Sequence, residues 1–249
     1  MRMRTRRTGR GPRVVCGTRA LAAVLVLAAG LTACGADPRP DQAEESGPDE
    51  RTVALVKKAN STMAGSSFTA SGTNSAFGGA EQDITWDPDH GFHMTVRADD
   101  GTETDMYCRD GRSYISAPLL VETLNQRGQQ VELPDDLADG YVVVQGRSCD
   151  AYFAVPASAE RVPKRDGRIG GRESVAVAVQ SPGGADVYHI AASGERRLLK
   201  WDAELEGMET TMTYEGYGEE YPVTLPPKER RIPMSDFQSA VMGVATRGG

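Results

Sequence analysis

The residues of this chain that could bind a metal or act as a base are few, since it has only three histidines. His90 and His93 lie three positions apart, but no cysteine and no second HxxH or HExxH element is close to them, so their spacing does not predict a zinc site. Asp87 and Asp89, in WDPDHG, could contact calcium, yet the segment lacks the regular ligand spacing of a calcium loop. Asp-Pro and Asp near Gly are common turn residues. We therefore expect turn and strand-surface roles here, and no metal.

Motifs of nucleophilic and phosphate-binding sites are absent from the sequence, which contains no GxSxG, SxxK, GxxxxGK[ST] or strand-to-helix GxGxxG pattern. Cys108 could act as a nucleophile with His189, but a partnered cysteine is the stronger interpretation of Cys108. Paired carboxylates such as Asp99 and Asp100 fall in loops, where solvated charge is the usual role. Nothing in the sequence supports an enzyme or a cofactor, and we expect neither.

The N-terminus carries the pattern of a secretory signal. The first nineteen residues hold seven arginines and no acid, and the apolar run ALAAVLVLAAGL follows from Ala20 to Leu31. Spanning a bilayer takes about 20 apolar residues, so this run of twelve is too short for a transmembrane helix. A polar stretch, GADPRPDQAEESGPDE, follows directly after Cys34 and has too few apolar groups to fold.

The tetrapeptide LTAC, residues 31–34, matches the bacterial lipobox, so this segment resembles a lipoprotein signal peptide. The resemblance implies lipidation at Cys34 and residence on the extracytoplasmic face of the cell membrane. The predicted organisation is a signal peptide over 1–33, a lipidated tether over 34–50, a folded domain over 51–227 and a C-terminal tail over 228–249. The alternative is an ordinary signal cleaved nearby, with Cys34 left as an odd thiol.

The charge of the mature chain excludes some partners. Removing the seven arginines of residues 1–33 from the 28 Lys and Arg leaves 21 against 35 Asp and Glu, a formal net charge of −14. Such a surface repels phosphate backbones, so nucleic-acid binding is disfavoured. Anionic lipid headgroups would also repel it, so contact with the membrane must depend on the lipid anchor.

Two cysteines remain once Cys16 leaves with the signal and Cys34 is lipidated. Cys108 and Cys149 are then an even pair outside the cytoplasm, where disulfides persist. A bridge closing a loop of this length would stabilise the fold by about 4 kcal/mol in the chain-entropy model. Two buried free thiols are the alternative.

The hydrophobic periodicity predicts one long helix followed by many strands. ALVKKANSTMAG has helical spacing, with Asp49 as a cap and Gly65 as a stop, and PLLVETLNQRG predicts a second, short helix. Elsewhere the period is two, and turn residues separate about ten segments, typical of a mostly antiparallel sheet. They are SSFTASGT, EQDITWD, GFHMTVRA, TETDMYCR, RSYISA, GRESVAVAVQ, ADVYHIAA, RRLLKWDAEL, ETTMTYEGY and YPVTLP. The tail carries charge and a short SDFQSAVMGVA run, for which a weak helix and disorder both remain open.

The apolar strand faces are the remaining candidate for a binding site. A sheet of ten strands with so few helices has more apolar face than the helices can cover, unless it closes on itself or leaves a cavity. Met and Tyr on that face would suit a flexible apolar ligand, because Met adapts its shape and Tyr adds a polar tip. The alternative is plain core. The candidate ligand-binding residues are Trp86, Phe92, Met94, Tyr114, Tyr188, Trp201, Met212 and Tyr214.

The order of these segments resembles actinobacterial lipoproteins of the LppX and LprG type, relatives of the LolA and LolB lipoprotein carriers. The resemblance covers about residues 52–227 and rests on ALVKKANSTMAGSSFTASGT, MYCRDGRSYISA, GRESVAVAVQ, VYHIAASGERRLLKW and TMTYEGYGEEYPVTLPP. It implies an α+β fold, a half-open and mostly antiparallel β-barrel of ten to eleven strands, with a few helices on the concave side and an apolar cavity. Members of the group bind acyl chains and help to move them across the envelope. This chain departs in its cysteine pair and its charged 128–165 region.

The expected function is therefore that of a membrane-anchored, extracytoplasmic lipoprotein. It would bind a hydrophobic ligand, a lipid or an acylated molecule, for transport in the envelope. The alternative is an interaction or sensor module, a filled half-barrel that binds an envelope protein through its acidic surface. An envelope hydrolase is the third and weakest hypothesis.

Overall fold

The computed structural model describes residues 47–181, 184–205 and 207–245. Three helices lie in this part of the chain: α1 (Glu50–Ala64), α2 (Ala117–Gln126) and α3 (Met234–Ala245). Its thirteen strands are β1 (Phe68–Asn74), β2 (Ala80–Asp87), β3 (Gly91–Arg97), β4 (Glu103–Arg109), β5 (Arg112–Ser116), β6 (Tyr141–Gln145), β7 (Glu160–Arg161), β8 (Gly167–Ile169), β9 (Arg172–Ser181), β10 (Gly184–Ala191), β11 (Leu198–Leu205), β12 (Met208–Glu215) and β13 (Arg231–Pro233).

All thirteen strands belong to one sheet, in the order β13-β6-β5-β4-β3-β2-β1-β12-β11-β10-β9-β7, with β8 also paired to β9. Every pairing is antiparallel except the short parallel one between β13 and β6. Among the described residues the outermost strands, β13 and β7, do not pair with each other, so the sheet stays open. The predicted fold class, a mostly antiparallel and half-open α+β barrel, is confirmed.

The strand number exceeds the predicted ten to eleven because four strands are absent from the predicted segments: β6, in a region rich in Asp, Gly and Pro, and β7, β8 and β13, which have only two or three residues each, too few for a period of two to show. One predicted strand is wrong. YPVTLP, residues 221–226, forms no strand because its prolines lack backbone donors. Side chains satisfy its backbone instead: the Tyr221 amide donates to Asp87 Oδ2 at 3.2 Å, and the Val223 carbonyl accepts from Arg109 Nη2 at 2.7 Å.

Helix α1 begins and ends where the sequence predicts. The Asp49 carboxylate accepts from the amides of Arg51 and Thr52, at 2.9 and 3.1 Å, which satisfies donors that a helix N-terminus leaves free. The buried stripe of the helix consists of Thr52, Val56, Ala59 and Met63. Val53, one position from that stripe, is 42% exposed.

Residues 87–91 form the turn that joins β2 to β3. Asp87 Oδ1 accepts from the amides of Asp89 and His90, at 2.9 and 3.1 Å. Burial alone would raise the pKa of Asp87, but these hydrogen bonds, together with that from Tyr221, hold the pKa below its usual value. The predicted turn role of this acidic segment is confirmed.

Three apolar clusters lie in the described part of the fold. The largest joins α1 to one face of the sheet and includes residues of β1–β4 and β9–β12. The second joins α2, α3, β6 and β13 around Ala117, Val142 and Phe237. The third, on the other face of β9 and β10, consists of Ala176, Ala178 and Val187. The chain after residue 227 thus packs through Phe237, which is 1% exposed. The domain boundaries at residues 33, 50 and 227 stay predictions.

Candidate functional site

Seven of the eight candidate ligand-binding residues lie on one face of the sheet, here called the inner face. Strand register shows this directly, because directly paired residues point to the same side. Trp86 pairs with Phe92 on β3, and Trp201 pairs with both Met212 and Tyr188. The other inner-face candidates are Met94 and Tyr214. All are buried except Trp201, which is half-buried against the same cluster.

Tyr114 does not join them. Its neighbour Ile115 pairs with the inner-face residue Met106, so Tyr114 points to the opposite side, here called the outer face. There its ring lies under the guanidinium of Arg231, 4.9 Å from the ring centroid. The structure therefore places Tyr114 outside the inner-face group.

The sequence analysis missed the segment that covers part of the inner face. Residues 149–159, here called the inner cover, form no strand and only a short 3-10 turn, yet Phe153, Val155 and Ala159 are buried in the main cluster. The Phe153 ring lies edge-on to Phe68, with centroids 5.0 Å apart, and 5.1 Å from Trp86. An aromatic side chain of the protein thus fills the space over Phe68 and Trp86, at one end of β1 and β2. The aromatic pair in DAYFAV, directly after Cys149, was the available signal.

The inner cover is attached at three points, one of which is a hydrogen bond of 2.7 Å between the hydroxyls of Tyr152 and Ser113 of β5. Cys149 forms a disulfide with Cys108 of β4, which lies on the inner face opposite Phe92. Farther along, the side chain of Asn60 on α1 makes two hydrogen bonds with the backbone of Val155, both at 2.8 Å. Its Nδ2 donates to the Val155 carbonyl, and its Oδ1 accepts from the Val155 amide. These attachments hold Phe153 against the sheet without any regular secondary structure.

Polar atoms on the inner face are available to a ligand. Trp86 Nε1 is buried and finds no hydrogen-bond acceptor among the described residues. Burial raises the pKa of the Tyr188 and Tyr214 hydroxyls above their usual value, so both remain protonated donors at neutral pH. Three donors thus lie within an otherwise apolar surface.

The outer face carries two of the three histidines, His93 and His189. His189 follows Tyr188 and points the other way, where Nε2 lies 3.4 Å from Asp202 Oδ2. Cys108 is on the inner face and in a disulfide, so a nucleophilic pair of Cys108 with His189 is wrong. Within residues 47–245, as far as the structure describes them, no group of three or more His, Cys, Asp or Glu side chains could hold a metal ion. In the same part of the chain no helix is long and apolar enough to cross a membrane. The predicted lipid anchor, Cys34, lies outside the described residues.

Comparison with known proteins yields structural similarity only. No protein-family model matches the chain, and no curated protein is significantly similar in sequence. The structure of this chain is similar to that of lipoprotein LppX from Mycobacterium tuberculosis, with a TM-score of 0.45. The two sequences are 12% identical, and the match covers 71% of this chain and 100% of LppX. LprF from Mycobacterium bovis is 14% identical over 73% of this chain and 98% of its own, with a TM-score of 0.38.

MucB, solved in complex with MucA(peri), is 16% identical over 73% of this chain, with a TM-score of 0.37. This chain matches only 61% of the length of MucB. LppX is one of the lipoproteins whose type the order of segments resembles.

Proposed function

We propose that this protein is an extracytoplasmic lipoprotein, anchored by lipid at Cys34, whose inner face binds a lipid or another acylated molecule. One observation carries the proposal: beside α1, a short irregular segment covers the aromatic residues Phe68, Trp86 and Phe92 of the inner face. Phe153 occupies the position that an acyl chain would take. The protein would hold its ligand during movement through the envelope, without catalysis.

The energetics favour exchange of Phe153 for a long chain. An aromatic side chain buries about 150–250 Å², which corresponds to about 4–6 kcal/mol at about 25 cal/mol per Å². An acyl chain contributes about 0.8 kcal/mol per buried methylene, so about a dozen methylenes contribute on the order of 10 kcal/mol. A ligand with a long chain can therefore displace Phe153, whereas a short one cannot.

Native mass spectrometry of the full-length protein, extracted from membranes in mild detergent, tests the proposal. We expect adducts of lipid mass on the wild type. In Phe153→Ala the fraction of protein that carries lipid should be higher, because the ring no longer fills the space between the inner cover and the sheet. Phe153→Leu keeps most of the side-chain volume, so it tests the same position if Phe153→Ala does not fold. Tyr141→Ala, on the outer face, is the matched control and should leave occupancy unchanged. Absence of lipid from the wild type and from both Phe153 variants would overturn the proposal.

The anchor is tested separately. The mature chain carries a formal charge of −14, so its body gains nothing from anionic headgroups. We expect Cys34→Ala to move the protein from the membrane fraction to the soluble fraction. A variant that stays in the membrane fraction after a high-salt wash would contradict the anchor.

A second candidate function is an interaction module, because the protein's own Phe153 already packs on Phe68 and Trp86 of the inner face. In that case an envelope protein would bind the acidic surface, and high salt would release it, because salt screens exposed charges. Native mass spectrometry separates the two: a folded protein that never carries lipid favours the module.

A further inference from the structure

A pocket of about 410 Å³ lies between the β8–β9 hairpin and the paired ends of β11 and β12. Arg172 comes from the hairpin, Arg197 and Leu199 come from the start of β11, and Tyr214 and Tyr217 come from the end of β12 and the loop after it. The pocket combines two guanidinium groups with aromatic and aliphatic walls.

Arg197 has an unused donor. Its Nη2 pairs with a Glu195 carboxylate oxygen at 2.5 Å, and its guanidinium lies over the Tyr217 ring, 4.8 Å from the centroid. The Nε atom is buried but finds no acceptor among the described residues. Since a buried unpaired donor on a charged group costs free energy, this position favours an incoming anionic oxygen.

Arg172 supplies a second positive charge. Its guanidinium makes no hydrogen bond or ion pair with any residue that the structure describes, and it lines both this pocket and an adjoining one of about 620 Å³ that Arg197 also lines. Two carboxylates, of Glu215 and Glu219, are also at the pocket wall, and Glu219 stays negative while it accepts from the Tyr221 hydroxyl at 3.2 Å. The preference for an anion therefore depends on the unpaired Arg197 Nε and on Arg172, and not on the net charge of the lining.

The pocket and the inner face share a wall. The rings of Tyr214 and Tyr217 line the pocket, and both also contact Phe68 of the main cluster, with centroids 5.6 and 5.7 Å away. The Tyr217 hydroxyl contacts the Met63 sulfur of α1 at 3.2 Å. A molecule in the pocket therefore lies beside the two arginines, with the two tyrosine rings between it and the main cluster.

We propose that this pocket binds the anionic headgroup of the ligand, a carboxylate or a phosphate, while the apolar chain lies on the inner face. This inference rests on the proposed function and adds the ligand class: an amphipathic anion, not a neutral lipid. Arg197 would donate from Nε, and Arg172 would supply the second charge.

Three probes with the same oleoyl chain test the inference by calorimetric titration of the full-length protein below their critical micelle concentrations: oleate, oleoyl lysophosphatidic acid and methyl oleate. We expect one or both anions to bind more tightly than the uncharged ester. Arg197→Gln and Arg172→Gln should each weaken anion binding about tenfold or more, the effect of losing a charge-assisted hydrogen bond, and should leave methyl oleate unchanged. Arg197→Lys should retain more affinity than Arg197→Gln.

Arg168→Gln is the matched control, because Arg168 lies on the same hairpin and pairs with Glu173, with Nε and Oε1 3.4 Å apart. It should leave all three affinities unchanged, and a thermal melt of each variant verifies folding. A preference for oleate or for the phosphate identifies the headgroup. Equal binding of the ester and the anions would overturn the headgroup site while leaving the proposed function intact. Binding of none of the probes would contradict the proposed function itself.

Discussion

The inner and outer faces of the same sheet are built in different ways. On the inner face Phe68, Trp86, Phe92 and Cys108 stand in one row across β1–β4, directly paired from strand to strand. This row is removed from water by α1 and by the inner cover, so its stability comes from apolar burial.

The outer face carries polar and aromatic pairs instead. His93 stacks on Tyr107 with centroids 4.2 Å apart, and His93 Nε2 lies 3.4 Å from Asp105 Oδ2. Burial raises the pKa of Tyr107 above its ordinary value, and the hydrogen bond with Asp105 adds to the shift. The same two causes raise the pKa of Tyr141 to about 12. These side chains are half-buried, so water screens their interactions.

The difference teaches that the inner face is held by apolar burial, which the proposed function takes to be exchangeable. A bound hydrophobic ligand would replace Phe153 without breaking any strand pairing, because the inner cover belongs to no long element. The outer face depends on directional contacts between neighbouring strands, for which an apolar chain has no substitute.

The largest expected effect is the loss of Phe153. Phe153→Ala removes a ring that is 5% exposed and leaves a cavity, which should lower the free energy of unfolding by about 3–5 kcal/mol. Tyr141→Ala on the outer face should lower it less, on the order of 1 kcal/mol, because that ring is half-buried. Urea denaturation of both variants measures the contrast. Equal losses would break the distinction between the two faces.

The disulfide should have the next largest effect. Replacing both cysteines, Cys108→Ser with Cys149→Ser, frees the inner cover at one end and should lower the free energy of unfolding by about 2–4 kcal/mol. The double variant should also bind a hydrophobic fluorescent probe more strongly than the wild type. Denaturation curves and probe titration, with reduced wild type as the control, measure both effects. Unchanged stability and unchanged probe binding would show that the disulfide does not hold the cover.

The smallest effect is a pH dependence on the outer face. Burial lowers the pKa of His189, with Lys200 and Arg165 adding to the shift and Asp202 opposing it. Because the folded-state pKa is below the unfolded value of about 6.5, the neutral ring contributes its full stability above about pH 6.5. That contribution is lost as the pH falls towards the folded-state pKa. Urea midpoints between about pH 7.5 and 5.5 should fall more steeply for the wild type than for His189→Gln, and equal slopes would contradict this.

The periodicity of the sequence predicts much of the fold because local rules act within each element. Asp49 and Gly65 mark the ends of α1, and an alternation of two marks each long strand. Tyr114 does not lie with the other candidate residues, for a reason that is also local. Tyr114 and Ile115 are adjacent and both apolar, so the pattern cannot tell which faces inwards, and only the register with Met106 decides it.

The candidate site divides in the same way. By itself the sequence determined which strands carry apolar faces. Seven of the eight candidate residues taken from that pattern lie together on the inner face. Only the tertiary structure revealed what covers that face, because Phe153 meets Phe68, and Val155 meets Asn60, across about ninety residues of chain. No local period records such contacts. Likewise Arg172 and Arg197 line one pocket with Tyr214 of β12, although β10 and β11 separate β9 from β12 in the sheet, and no pattern within one strand records that proximity.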